Sequence, residues 1–184
     1  MRLTYSTYNI SNTGLVSDDG RELYHISTSR WGQKTTVRKL TDGSPPTHVP
    51  LAVIRFRWRK DLIEWGDRTI EARSWLEKSG TFSSARTFTT AGGQQYKWRT
   101  DSVRWWLERA DGSEVARSHN ASLGIIGKTK HKAYLDIGDD ISADIDDVVV
   151  SFVYLKVLQE RQQSAANSAS SSAAAGAAAA AAAA

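Results

Sequence analysis

Residues 144–163 read DIDDVVVSFVYLKVLQERQQ, and their apolar members, Ile145, Val148, Val149, Val150, Phe152, Val153, Leu155, Val157 and Leu158, do not keep to one face of a helix. A surface helix carries a single apolar stripe, so a helix that is apolar nearly all round has to be enclosed. The spacing therefore predicts one core helix over 144–163. Asp144, Asp146 and Asp147 at its start complement the positive end of the helix dipole, and Glu160 and Arg161 mark its return to solvent. The apolar run, broken by Ser151 and Lys156, is shorter than the roughly 20 residues of a membrane span, so no transmembrane segment is expected here.

Upstream of the helix the chain is strand-like. Turn signals recur at short intervals: Asp18-Asp19-Gly20, Asp42-Gly43-Ser44-Pro45-Pro46, Trp65-Gly66-Asp67, Ala91-Gly92-Gly93, Asp111-Gly112 and Gly138-Asp139-Asp140. Two hairpins stand out, 86–90 with 95–100 and 103–109 with 114–118. Residues 51–59 alternate most clearly, with Ala52, Ile54, Phe56 and Trp58 on one face and Val53, Arg55, Arg57 and Arg59 on the other. A period of two with bulky apolar groups on one side is a half-buried antiparallel strand. Residues 95–100 repeat the scheme with Tyr96 and Trp98 inward and Lys97 and Arg99 outward. In 103–109 the inward set is Val103, Trp105 and Leu107, which leaves Trp106 exposed beside Arg104. Many short strands leave sheet edges, and closing the sheet into a barrel removes them. The fold expected is mainly β, an antiparallel β-barrel enclosing its own hydrophobic C-terminal helix.

Residues 1–163 are expected to form one domain, long enough to bury roughly 70% of the surface of its unfolded chain. Residues 164–184 are almost entirely Ala and Ser without charge, and they read as a disordered low-complexity tail. The absence of cysteine excludes disulfides, thiolate nucleophiles and thiolate metal sites. The N-terminus has no apolar stretch like a signal peptide, so an intracellular, cytoplasmic location is expected. Net charge is +4, mildly basic, and favours anionic partners without demanding them. Seven Trp among 184 residues are large rigid groups that must serve as core or as contact surface.

Residues 78–88, KSGTFSSARTF, followed by QYKWR at 95–99, resemble an uncharacterised domain family abundant in fungi. Residues 35–40 and 147–154 resemble its other recurrent stretches, and the similarity covers 24–161. That family resembles the tubby C-terminal, LURP-one and scramblase group, which implies a barrel of about twelve antiparallel strands around a hydrophobic helix. Some tubby domains bind phosphoinositides through Lys and Arg on neighbouring strands. No motif of that kind aligns with this chain, so no binding residue is carried over.

Few residues point to chemistry. His25, His48, His119 and His131 are scattered, and Ser83-Ser84 has no local activating partner. The acidic cluster 139–147 lacks the spacing of an EF-hand loop. No catalytic residue, metal or cofactor is expected. The candidate anion-binding set is Arg55, Arg57, Arg59 and Lys60, with Lys97 and Arg99. Guanidinium groups at alternate positions of one strand form a row about 7 Å apart, which suits phosphates. The same residues also fit a solvated face with cross-strand ion pairs to Glu64, Glu71 or Glu108. The first functional reading is a non-enzymatic binding or scaffold domain whose basic face meets an anionic membrane lipid or an acidic protein. The alternative is nucleic-acid binding through Trp98, Arg99, Arg104 and Trp106. An enzyme whose site only the fold assembles is the third.

Overall fold

The computed structural model describes residues 1–41, 49–80, 83–101, 103–122 and 130–182. The turn expected at 42–46, His48 and Thr81-Phe82 of the family-like stretch lie outside the described residues.

Among the described residues thirteen strands form one antiparallel sheet. They are β1 (Arg2–Tyr5), β2 (Asn12–Val16), β3 (Glu22–Thr28), β4 (Lys34–Lys39), β5 (Ala52–Arg55), β6 (Leu62–Trp65), β7 (Arg68–Glu71), β8 (Glu77–Lys78), β9 (Arg86–Thr89), β10 (Gln95–Thr100), β11 (Trp105–Arg109), β12 (Glu114–His119) and β13 (Tyr134–Ile137). The order is β7-β6-β5-β4-β3-β2-β1-β13-β12-β11-β10-β9-β8, a meander in which the first and last strands pair. The two edges are thus β7 and β8, consecutive in sequence. A single helical turn, α1 (Ala72–Trp75), joins them in place of a hydrogen-bonded ladder. Trp75 bridges the gap, edge-on to Trp65 of β6 at 5.6 Å and to Phe88 of β9 at 5.4 Å, with its indole N–H donating to the Thr89 carbonyl. Aromatic packing here does the work that strand pairing does elsewhere.

Both expected hairpins form. β9 pairs with β10 and β11 with β12, and their turns place Gly93 and Gly112 at φ of 81° and 84°, where a side chain would be strained. After β13 a 3-10 turn, Asp139–Asp144, leads into α2, Ile145–Ala182. Val148, Val149, Val150, Phe152, Val153, Leu155 and Val157 are buried, and Ile145 and Leu158 pack partly against the same core. Polar groups on α2 reach both halves of the sheet. The Tyr24 hydroxyl of β3 donates to Asp146, and the Trp98 indole of β10 donates to the Ser151 hydroxyl. Phe56, just past β5, stacks on Tyr154 at 5.9 Å. Helix and sheet are one core, as the apolar pattern predicted.

Three details depart from the expected pattern. The helix was expected to end near residue 163, but α2 runs to Ala182, which suits the high helix propensity of alanine. Burial along it stops at Glu160, and residues 161–168 are exposed. The strand expected over 51–59 stops at Arg55: the Phe56 N–H still bonds the Gln33 carbonyl in register with β4, but the next N–H, that of Arg57, goes to the Asp61 carboxylate and the chain turns there. Trp58, expected inside, is 98% exposed. Val103, expected inside, is 57% exposed. Asp101 accepts the Val103 and Arg104 N–H groups, which makes a turn of what read as a strand start.

Candidate functional site

Successive turns of a meander alternate between the two ends of its sheet. Residues 6–11, 29–33 and 56–61 therefore share one end, and α2 leaves the core there. Ser11 donates to Glu160 at 2.7 Å, the Arg161 guanidinium donates to the Gly32 carbonyl, and that guanidinium lies 4.7 Å over the Phe56 ring. The turns at the opposite end carry Asp18, Asp19, Asp67 and Asp111, beside Asp139, Asp140, Asp144, Asp146 and Asp147 around the helix start. The end where α2 leaves carries Arg30, Arg57, Arg59, Lys60, Lys132 and Arg161. The molecule is electrically polarised along the helix axis.

The six candidate cations separate on this frame. Arg55 of β5 pairs with Glu64 of β6, Lys60 with Glu71 at 3.0 Å, and Arg99 with Glu108 at 2.6 Å. These are the cross-strand pairs that a solvated outer face would make, and each cation is partly neutralised by its neighbour. Lys97 sits on β10, half-buried, on the outer face with Arg99. Arg57 and Arg59 are not strand residues at all. The turn after Phe56 carries them, so the expected row of guanidiniums along one strand does not exist.

That turn is held firmly. The Asp61 carboxylate accepts the Arg57 backbone N–H at 3.1 Å and the Tyr154 hydroxyl at 3.1 Å, which ties the loop to α2. Its tip presents Trp58 between Arg57 and Arg59. The neighbouring β3–β4 turn presents Trp31, 79% exposed, beside Arg30, whose guanidinium lies 5.8 Å over the indole. Ser29 closes this turn by accepting the Lys34 N–H on its hydroxyl and the Gly32 N–H on its carbonyl. Tyr8 in the 6–11 turn is 65% exposed. A large apolar ring fully in water gains nothing for folding, so two indoles on braced adjacent turns make this end the candidate contact surface. Sequence reasoning placed Trp58 in the core and singled out no role for Trp31. The signal that could have found them is a Trp with flanking Arg in a short connection between strands, Arg30-Trp31-Gly32 and Arg57-Trp58-Arg59.

The four residues of the nucleic-acid reading are divided: Arg99 and Trp106 are direct partners on the outer face of β10 and β11, while Trp98 lies on the inner face. Trp98 is fully buried and cannot stack on a base, the Trp106 indole N–H is bonded to Glu108, and Arg104 pairs with Asp101 at 3.0 Å. Among the histidines, His25 meets Glu22 at 2.8 Å, while His119 stacks on Tyr134 at 4.3 Å and faces Asp136. Among the described residues no group of three or more His, Asp or Glu is placed to hold a metal ion. Also among them, no helix is long and apolar enough to cross a membrane.

At the acidic end the carboxylates flanking the helix start act as acceptors for buried phenols. Tyr96 donates to Asp144 at 2.9 Å, and Asp146 accepts from Tyr24 at 2.6 Å and from the Lys39 ammonium at 2.9 Å. Asp147 has no such cation. Burial first, and then the negative charge of Asp144 and Asp146, push its carboxyl up to about 6. Between the ordinary value of 3.8 and about 6 the folded state holds more protons than the unfolded one, so this group makes stability fall as pH rises through that window. Asp147→Asn should melt above the parent at neutral pH, with the difference shrinking as the pH drops below about 6 toward 3.8. Thermal melts of both proteins across pH test this. A constant difference would show that Asp147 does not titrate there.

A family model for a family of unknown function, DUF6593, matches residues 8–161. No curated protein and no solved structure matches the chain.

Proposed function

The chain belongs to the DUF6593 family of unknown function, and from that premise we propose a non-enzymatic binding domain that docks end-on against an anionic phospholipid surface. The observation that carries this reading is the pair of exposed indoles, Trp31 and Trp58, on braced turns among Arg30, Arg57 and Arg59 at the basic end. Indole rings favour the headgroup layer, with an apolar body and a polar N–H. Each Lys or Arg near an anionic leaflet adds about 1 kcal/mol of attraction. The acidic opposite end would be repelled by the same surface, so the charge polarity selects the orientation. Of the six candidate cations, Arg57 and Arg59 keep a direct part. Arg55, Lys60, Lys97 and Arg99 contribute to the field behind them.

The reading includes a sheet closed around the helix in the manner of the tubby, LURP-one and scramblase barrels, with α1 and Trp75 as the closing seam, and action at an intracellular membrane face. Cosedimentation with phosphatidylcholine vesicles, with and without phosphatidylserine, tests it. The protein should bind only the anionic vesicles and be released by salt. Trp31→Ala with Trp58→Ala should weaken binding by about tenfold or more per ring, from roughly 1.5–3 kcal/mol for each large apolar side chain returned to water. Arg57→Glu with Arg59→Glu should abolish it. Equal binding by these variants and the parent would reject the end-on surface.

A further inference from the structure

A second feature lies on the inner side of the sheet, away from the turn tips. In the ladder Arg86 of β9 stands directly opposite Trp98 on one side and Lys78 of β8 on the other. Direct partners in an antiparallel ladder share a face, and Trp98 is fully buried, so Arg86 points inward. It is half-buried, and among the described residues its guanidinium makes no ion pair or hydrogen bond. Burial lowers its pKa, the nearby Tyr154 hydroxyl opposes that shift, and the nearby Arg73 guanidinium adds to it. Lys78 is a like charge directly across the ladder, an arrangement that destabilises a sheet. Glu77 alternates to the other face and cannot relieve it.

Arg86 and Lys78 line a cleft of about 440 Å³ between the β8–β10 corner and the outgoing end of α2. The Ser83, Ser84 and Thr100 hydroxyls and the Gln159, Gln162 and Gln163 amides also line it, and none of the described residues lining it is a carboxylate. The other clefts differ. One at β10 and β11 holds Arg99 paired to Glu108 and Arg109 paired to Asp140, and one at β12 and β13 holds Arg117 paired to Glu114. Two opposed cations without an anion, ringed by neutral donors, describe a place for a dianion.

We propose that the cleft between Arg86, Lys78 and the outgoing end of α2 binds a phosphate monoester, with the guanidinium and the ammonium neutralising its two charges. A guanidinium can grip two phosphate oxygens at once, and hydroxyl and amide donors suit the remaining ones. A carboxylate would neutralise only one of the two cations. The phosphate can belong to a free metabolite or to the headgroup of a lipid such as phosphatidic acid. This site rests on observations independent of Trp31 and Trp58.

Thermal melts of the full chain in inorganic phosphate and in chloride at matched ionic strength and pH give the first readout. Phosphate should raise the melting temperature with dose, because a ligand that binds only the folded state stabilises it. Arg86→Gln should weaken phosphate by about tenfold or more, the loss of one charge-assisted bond. In chloride it should also melt above the parent, since an uncompensated charge is gone, and that opposite sign shows it folded. Lys78→Gln, at an exposed position, is the second variant and should weaken phosphate without unfolding the chain. Glycerol 3-phosphate and vesicles with phosphatidic acid in place of phosphatidylserine separate the sources. Binding of glycerol 3-phosphate alone assigns a free ester, and Arg86-dependent preference for phosphatidic acid assigns a headgroup. Identical behaviour of parent and Arg86→Gln with every probe, or no response of the parent to any of them, overturns the site. The Trp31 and Trp58 variants should keep the phosphate response in full, so failure of the membrane reading stays distinguishable from failure of this one.

Discussion

Phe152→Ala should lower the stability of the domain by about 3–5 kcal/mol, the range for truncating a buried aromatic in a core that cannot collapse around the gap. Phe152 is fully buried in the core-facing first part of α2 and packs on Trp98 of β10, ring centres 5.5 Å apart. The loss is large against the 5–15 kcal/mol or so by which single domains are stable. Equilibrium unfolding in urea measures it, and the midpoint should fall while the slope stays constant. A cost below about 1 kcal/mol, the size of a surface change, would mean that the sheet is stable without its helix. Removal of the whole helix should go further and leave no cooperative transition, because the apolar inner face of every strand then meets water.

The second large effect is expected one residue away. The Ser151 hydroxyl accepts the Trp98 indole N–H at 2.9 Å and donates to the Val148 carbonyl at 2.9 Å, and both residues are fully buried. Ser151→Ala should cost about 1–3 kcal/mol, since it strands a buried N–H with no water to replace its partner. Trp98→Phe removes the donor along with ring volume. The double variant should be more stable than the two single losses summed, by a coupling of roughly 0.5–3 kcal/mol. Strict additivity in the double-mutant cycle would show that the bond contributes nothing beyond packing.

These two residues also show what could be read in advance. Phe152 was legible as core because the apolar pattern around α2 leaves no polar face to expose. Ser151 was legible only as an interruption of that pattern. Its role depends on a strand more than fifty positions earlier in the chain, which no local spacing encodes. Alternation worked at Tyr96, Trp98, Trp105 and Leu107, all buried as expected, but Val53, expected outward on β5, is buried as well and Trp106, expected exposed, is half-buried. Alternation failed at Trp58 and Val103, where backbone N–H groups bond the Asp61 and Asp101 carboxylates, the chain turns and the period of two ends. The candidate cations suffered most from this failure. Arg57 and Arg59 moved from a strand face to a turn tip, and Arg55, Lys60 and Arg99 found carboxylates on neighbouring strands. Arg86 escaped notice because its inward direction is set by its register with Trp98.

By itself the sequence determined the mainly antiparallel β character, the two hairpins and the burial of the C-terminal helix on all sides, because periodicity and turn chemistry act over a few residues. Only the tertiary structure decided that the described residues form thirteen strands in one sheet, that its edge strands β7 and β8 are linked by α1 and not paired, which of the described cations have carboxylate partners, and that the exposed indoles gather at the basic end. Those outcomes depend on which strands become neighbours and where each turn lands. Pairing and charge compensation between residues far apart in the chain are set when the sheet winds about the helix.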